Sequence, residues 1–120
     1  MTSYDESNIF CKFIKNEINV DKFHETKHSF SFLDKYPKYK THILLIPKGF
    51  YTDIYDFESK ANQEEKLDFW QCFKETIEKA NLYEHGFRTL SNCKDHGSQQ
   101  IFHFHLHILG GETIKLHKDL

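Results

Sequence analysis

Three histidines alternate with apolar residues in one short run, Ile101-Phe102-His103-Phe104-His105-Leu106-His107-Ile108-Leu109. Alternation at period two predicts a β-strand with two unlike faces. One face carries Phe102, Phe104, Leu106 and Ile108 and belongs against a core. The other presents His103, His105 and His107 in a row. A merely amphipathic strand carries Thr, Lys or Ser on its polar side, so three imidazoles on one face point to chemistry.

Distance narrows that chemistry. Strand residues two apart are separated by roughly 6.5–7 Å and residues four apart by about 13 Å. The outer two imidazoles therefore cannot share one tetrahedral metal shell with bonds of about 2.0–2.1 Å. A metal would need one adjacent pair plus a ligand from elsewhere. A row of phosphoryl oxygens suits three imidazoles better, with the central one at the reacting phosphorus. Imidazole serves as nucleophile, acid or base near neutral pH.

The 120 residues fit one domain, taken as 1–120, with enough chain to bury a core. Twelve Phe must supply much of that core's volume. A net charge of −2 argues against bulk electrostatic binding to nucleic acid. No apolar run approaches the ~20 residues of a membrane span. Residues Met1 to Asn8 are polar and unlike a signal peptide. Cys11, Cys72 and Cys93 are odd in number and far apart, which fits reduced thiols in a cytoplasmic protein.

The remaining pattern is mixed α and β. A short helix over Phe10–Ile14 is opened by Ser7 or Asn8. Val20–His24 and His28–Leu33 read as strands around a Glu25-Thr26-Lys27 turn. Residues 34–39 form a loop broken by Pro37. His42–Pro47 is the most apolar run and predicts a central strand. Tyr51–Phe57 reads as loop with at most a helical turn. Gln63–Ala80 is the long helix, with an apolar stripe of Leu67, Trp70, Phe73, Ile77 and Ala80. Phe69 and Cys72 widen that stripe beyond one core face, through ordinary packing or through a subunit contact. Phe87–Leu90 is a strand, and 92–100 is a polar loop leading into the histidine run. The order α-β-β-β-α-β-β predicts an α+β domain with a mostly antiparallel sheet.

The run from His103 to Leu109 resembles the His-φ-His-φ-His-φ-φ signature of the histidine triad (HIT) superfamily. Five further blocks fall in order at the spacing of its Hint branch: Ile9-Phe10-Cys11-Lys12, the Asp34 loop, Thr41 to Lys48, Asn92, and Gly110-Gly111. The resemblance spans about residues 8 to 112. The Leu109-Gly110-Gly111 ending favours the Hint branch over the fragile-histidine-triad dinucleoside polyphosphate hydrolases.

The resemblance implies a five-stranded antiparallel sheet with two helices. Two subunits pair through the long helix and a strand into a ten-stranded sheet. It implies a purine nucleotide ligand of AMP type and cleavage between its α-phosphate and a leaving group, as in a nucleotide phosphoramidase. His105 is then the nucleophile, His107 contacts phosphate, and His103 and His42 form a supporting pair. Asp34 takes the ribose hydroxyls, and Lys35 beside it joins the nucleotide-binding residues. Phe10, Phe13, Ile18 and Phe32 enclose the base. Asn92, Ser98, Gln99 and Gln100 hold phosphate and leaving group. No cofactor and no metal are implied. The alternatives are a nucleotide-binding scaffold with vestigial catalysis, a dinucleoside polyphosphate hydrolase, or a metal-binding module.

Departures from the resemblance bear on specificity. Gln100 stands where Hint relatives usually carry a small hydroxyl residue that helps protonate the leaving nitrogen. Ser98 replaces a glycine. Some relatives bind zinc through two cysteines near the N-terminus plus histidines; here Cys11 remains, but Asn8 stands at the other position. The tail from Glu112 to Leu120 does not match the Trp-Pro-Pro ending of eukaryotic relatives.

Overall fold

A computed structural model describes residues 3–115. The elements are α1 (Ile9–Ile14), β1 (Lys22–Glu25), β2 (Ser29–Leu33), β3 (Thr41–Pro47), α2 (Ile54–Lys60), α3 (Gln63–Lys79), β4 (Arg88–Leu90) and β5 (Leu106–Gly110). The strands form one antiparallel sheet in the order β1-β2-β3-β5-β4. There are thus three helices rather than two. The extra one, α2, replaces the expected loop. Its start is capped by Asp53, whose side chain accepts the Asp56 N–H at 2.8 Å. Phe57 is its one buried residue, which leaves too little apolar periodicity to reveal a helix.

β3 is buried on both faces, which explains its unbroken apolar run. Ile43 and Leu45 join Phe57, Phe69, Cys72, Phe104, Leu106 and Ile108 in one cluster under α3. Leu44 and Ile46 join Phe10, Phe30 and Phe32 in a second cluster beneath α1. Alternation puts His42 on this second face with Leu44. His107 pairs across from Leu44, so it lies there too. α3 starts with a full capping box, Asn62 with Glu65. It seats Phe69, Cys72, Thr76 and Ile77 on the sheet, while Leu67 and Trp70 of the expected stripe stay exposed.

The histidine run is not one strand. The β3–β5 ladder stops at Leu45↔Leu106, so His103 and His105 precede β5 and only His107 lies within it. Continuing the register would bring Phe104 opposite Pro47, which has no N–H to give. The Phe104 N–H instead donates to the Tyr51 carbonyl at 2.8 Å. Phe102, expected in the core, is 54% exposed. The two glycines after the triad have separate reasons. A Cβ on Gly110 would meet Leu82 at 2.8 Å, and Gly111 has φ +77° with Thr41 Oγ1 at 2.7 Å from where a Cβ would sit.

Candidate active site

The site is built where the irregular segment 101–105 crosses the α1 face of the sheet. His105 is buried, and its ring lies 5.1 Å from Phe10 and 5.1 Å from His107. Its Nδ1 is 2.7 Å from the His103 carbonyl. A carbonyl only accepts, so Nδ1 carries the proton and Nε2 keeps its lone pair. Ser91, just after β4, donates its hydroxyl to the His105 carbonyl at 2.8 Å. Burial lowers the pKa of His105, with Asp34 pulling the other way, so the ring is held as the neutral base.

His42 Nδ1 accepts the backbone N–H of Lys38 at 3.1 Å. Its Nε2–H therefore faces His107 Nδ1, 2.9 Å away, and Asp34 Oδ2 at 3.4 Å. With Nδ1 of His107 accepting, its second nitrogen bears the hydrogen. The expected His103–His42 pair is thus replaced by a His42–His107 pair. Adjacent antiparallel strands bring β3 and β5 side chains of one face together, whereas His103 lies before the ladder. Burial pushes His107 down to about 4, helped by neighbouring His105 and His42. Burial also lowers His42, against the opposing pull of Asp34.

Asp34 is half-buried and accepts the Tyr36 N–H at 2.8 Å, which fixes the turn. Its remaining oxygen faces the histidines. Lys35 is exposed, with its ammonium 5.7 Å from the Tyr36 ring. Phe10, Phe13 and Phe32 form an aromatic cluster, with Phe10–Phe32 at 5.6 Å and Phe13–Phe32 at 5.4 Å. Ile18, expected with them, is 41% exposed beyond α1 and outside the buried cluster.

The phosphate-loop candidates divide. Gln99 is buried and turned inward: it accepts the Lys94 N–H and donates to the carbonyls of Thr52 and Ile101. Its amide braces the loop instead of facing a ligand. The Ser98 N–H is engaged with the Asp95 carbonyl, and Ser98 itself has φ +57°. Asn92 is half-buried, and Gln100 is exposed. Ser98, Gln100, Phe102, Thr52, Tyr55 and Lys94 line a groove of ≈ 930 Å³. Sequence reasoning missed Tyr4, Lys38 and Ser91. Lys38 acts through a backbone N–H and Ser91 through one hydroxyl beside Asn92, neither of which leaves a pattern.

Two donor sets invite a metal, and neither fits well. Asp34, His42 and His107 bring their ligand atoms within 4.8 Å of one another. Ligation through His42 Nε2 would put the proton on Nδ1, against the Lys38 N–H. At the N-terminus, the Asn8 side chain accepts the Cys11 N–H and donates to Tyr4 and to the Asp5 carbonyl. His103 has both ring nitrogens engaged.

The HIT domain family matches residues 15–114. The chain belongs to the HIT family. It is 37% identical over 112 residues to an uncharacterised HIT-like protein of Azospirillum brasilense, covering 93% of this chain and 92% of that one. It is 33% identical over 110 residues to the purine nucleoside phosphoramidase of Escherichia coli strain K12, covering 91% of each. Among solved structures, a HIT family hydrolase from Clostridium thermocellum superposes with a TM-score of 0.81 at 26% identity, covering 95% of this chain and 98% of that one. Those structures share the five-stranded antiparallel architecture of this HIT chain. Among its described residues no helix is long and apolar enough to cross a membrane.

Proposed function

We propose that this HIT protein hydrolyses purine nucleotide conjugates of the phosphoramidate type through a nucleotidyl-histidine intermediate. One observation carries the reading: the His105 Nδ1–H bonded to the His103 carbonyl, which leaves Nε2 as a neutral lone pair in a buried setting. Nε2 attacks the α-phosphorus, the phosphorus–nitrogen bond breaks, and the leaving nitrogen takes a proton from solvent while the His107 N–H donates a hydrogen bond to the reacting group. Water then attacks the phosphorus, the phosphorus–imidazole bond breaks, and the proton that water loses returns to solvent, releasing the nucleoside monophosphate and restoring neutral His105. One hard displacement becomes two easier ones. The purine lies against Phe10, Phe13 and Phe32, and Asp34 accepts from the ribose hydroxyls. The name of the Escherichia coli relative supports this substrate class.

His105→Ala tests the reading. Turnover of adenosine phosphoramidate is expected to fall by several orders of magnitude, as on loss of a nucleophile, while AMP binding persists. Labelled substrate quenched early is expected to leave label on His105 alone. Wild-type-like turnover in the variant would sink the assignment.

The working form in this reading is a homodimer. Leu67 (71% exposed) and Trp70 (47%) stand out on α3, and Phe87 (39%) and Leu90 (38%) lie at the β4 edge. Trp70 is linked to Phe87 through the Phe73 ring, with centroids 5.4 and 5.7 Å apart, and exposed large apolar side chains of this kind fit a subunit interface.

A further inference from the structure

The segment that carries His103 and His105 lies outside the sheet ladder, so side chains and loops must hold it. Its surroundings contain a directed chain of hydrogen bonds that begins at the N-terminus. Asn8 Oδ1 accepts the Cys11 N–H at 2.8 Å, which fixes the orientation of its amide. Asn8 Nδ2 then donates to Tyr4 Oη at 3.0 Å. His103 Nε2 faces the Pro47 carbonyl at 2.9 Å, so that nitrogen bears hydrogen and Nδ1 accepts. The Tyr4 hydroxyl, 2.6 Å from Nδ1, must therefore be its donor. Finally, the His103 carbonyl accepts the His105 Nδ1–H.

From this geometry we infer that Tyr4 is a positioning residue of the active site. The Pro47 carbonyl sets the His103 tautomer, the Tyr4 hydroxyl pairs the remaining nitrogen and fixes the ring's orientation, and His103 in turn aims the Nε2 lone pair of His105. The Tyr4 ring is held for the task by stacking on Phe50, with centroids 4.9 Å apart and planes 9° apart. His103 is fully buried, so without the hydroxyl its Nδ1 has neither protein nor bulk water to satisfy it. The ring would then turn, and the carbonyl that holds His105 would move with it. This inference rests on the reading of His105 as nucleophile, but its structural half can be tested without turnover.

Long-range ¹H–¹⁵N spectra of the histidine side chains of the wild-type protein decide that half. His103 is expected as the Nε2–H tautomer with Nδ1 in the shift range of a hydrogen-bonded acceptor. An Nδ1–H tautomer would overturn the inference whatever the activity. In Tyr4→Phe the His103 Nδ1 resonance is expected to move, and kcat on a fluorogenic adenosine phosphoramidate to fall about tenfold, with AMP affinity within twofold of wild type. A Tyr4→Phe enzyme with unchanged kcat and an unchanged His103 resonance would also overturn it. Absence of turnover in the wild type would instead count against the phosphoramidate reading and leave the tautomer measurement standing.

Discussion

His42 Nε2 stands 2.9 Å from His107 Nδ1, and the Lys38 N–H on the far side of His42 gives that contact a direction. The proton lies on His42 Nε2, so His107 presents an N–H from its outer nitrogen. A neutral imidazole is too weak an acid to give that proton away, but its N–H, backed by a donor on the other nitrogen, holds the leaving nitrogen or a phosphoryl oxygen by a hydrogen bond as the bond breaks. His42→Leu removes the backing donor. The rate on an amine-leaving substrate is expected to fall by about 10², and His42→Gln, which offers an amide N–H, to recover part of it. Single-turnover rates of the three proteins check this; equal rates for wild type and His42→Leu would contradict it.

The same buried imidazoles make the fold sensitive to acid. Burial holds His103 down to about 4, and burial with neighbouring imidazoles does the same for His107, against about 6.5 in the unfolded chain. Between those values the unfolded chain binds protons that the fold refuses. Stability is therefore complete above about pH 6.5 and declines as pH falls toward 4. For buried His103 the slope approaches about 1.4 kcal/mol per pH unit, and half-buried His107 adds less because solvent screens it. Urea denaturation at pH 7, 6 and 5 measures this. Equal free energies of unfolding at pH 7 and 5 would refute it.

Trp70 and Leu67 occupy the part of α3 turned away from the sheet. Trp70→Glu places a carboxylate in the expected subunit contact, where burial without a partner is costly. The wild type is expected to sediment as a dimer at micromolar concentration and Trp70→Glu as a monomer. A monomeric wild type would remove the basis for the contact.

Much of this could be read from the chain, and the failures have physical causes. β3 was legible as an unbroken apolar run, because both of its faces are buried, and the core face of β5 because period-two alternation records burial directly. The long helix was legible in extent but not in facing: Leu67 and Trp70 fit a helical period yet lie outside the core, because periodicity cannot tell a core from a partner surface. The alternation through 101–105 predicted strand where Pro47 ends the ladder, a constraint that sits in a different segment. The His103–His42 pairing failed for the same reason, since register decides which histidines meet. Tyr4 was illegible because a lone tyrosine at the N-terminus carries no pattern; only the fold brings it across 99 positions to His103.

Gln100 bears on which bond this site cleaves best. It is exposed on the loop before the triad and lines the groove shared with Thr52, Tyr55 and Phe102. An amide anion is a very poor leaving group, so a phosphoramidate must be protonated as its bond breaks. A hydroxyl hydrogen-bonded to an imidazole can relay a proton; a glutamine amide can orient the departing group but is a far weaker acid. The chain as it stands is expected to favour leaving groups that need little protonation, such as the carboxylate of an acyl adenylate. Gln100→Ser is expected to raise kcat/KM on amine-leaving substrates relative to acyl adenylates. Fold stability is expected to change by less than about 0.5 kcal/mol, as for exposed positions generally. The measurement is kcat/KM for both substrate classes in both proteins. If the ratio does not change, solvent supplies the proton without help from position 100, and leaving-group preference is set elsewhere in the groove.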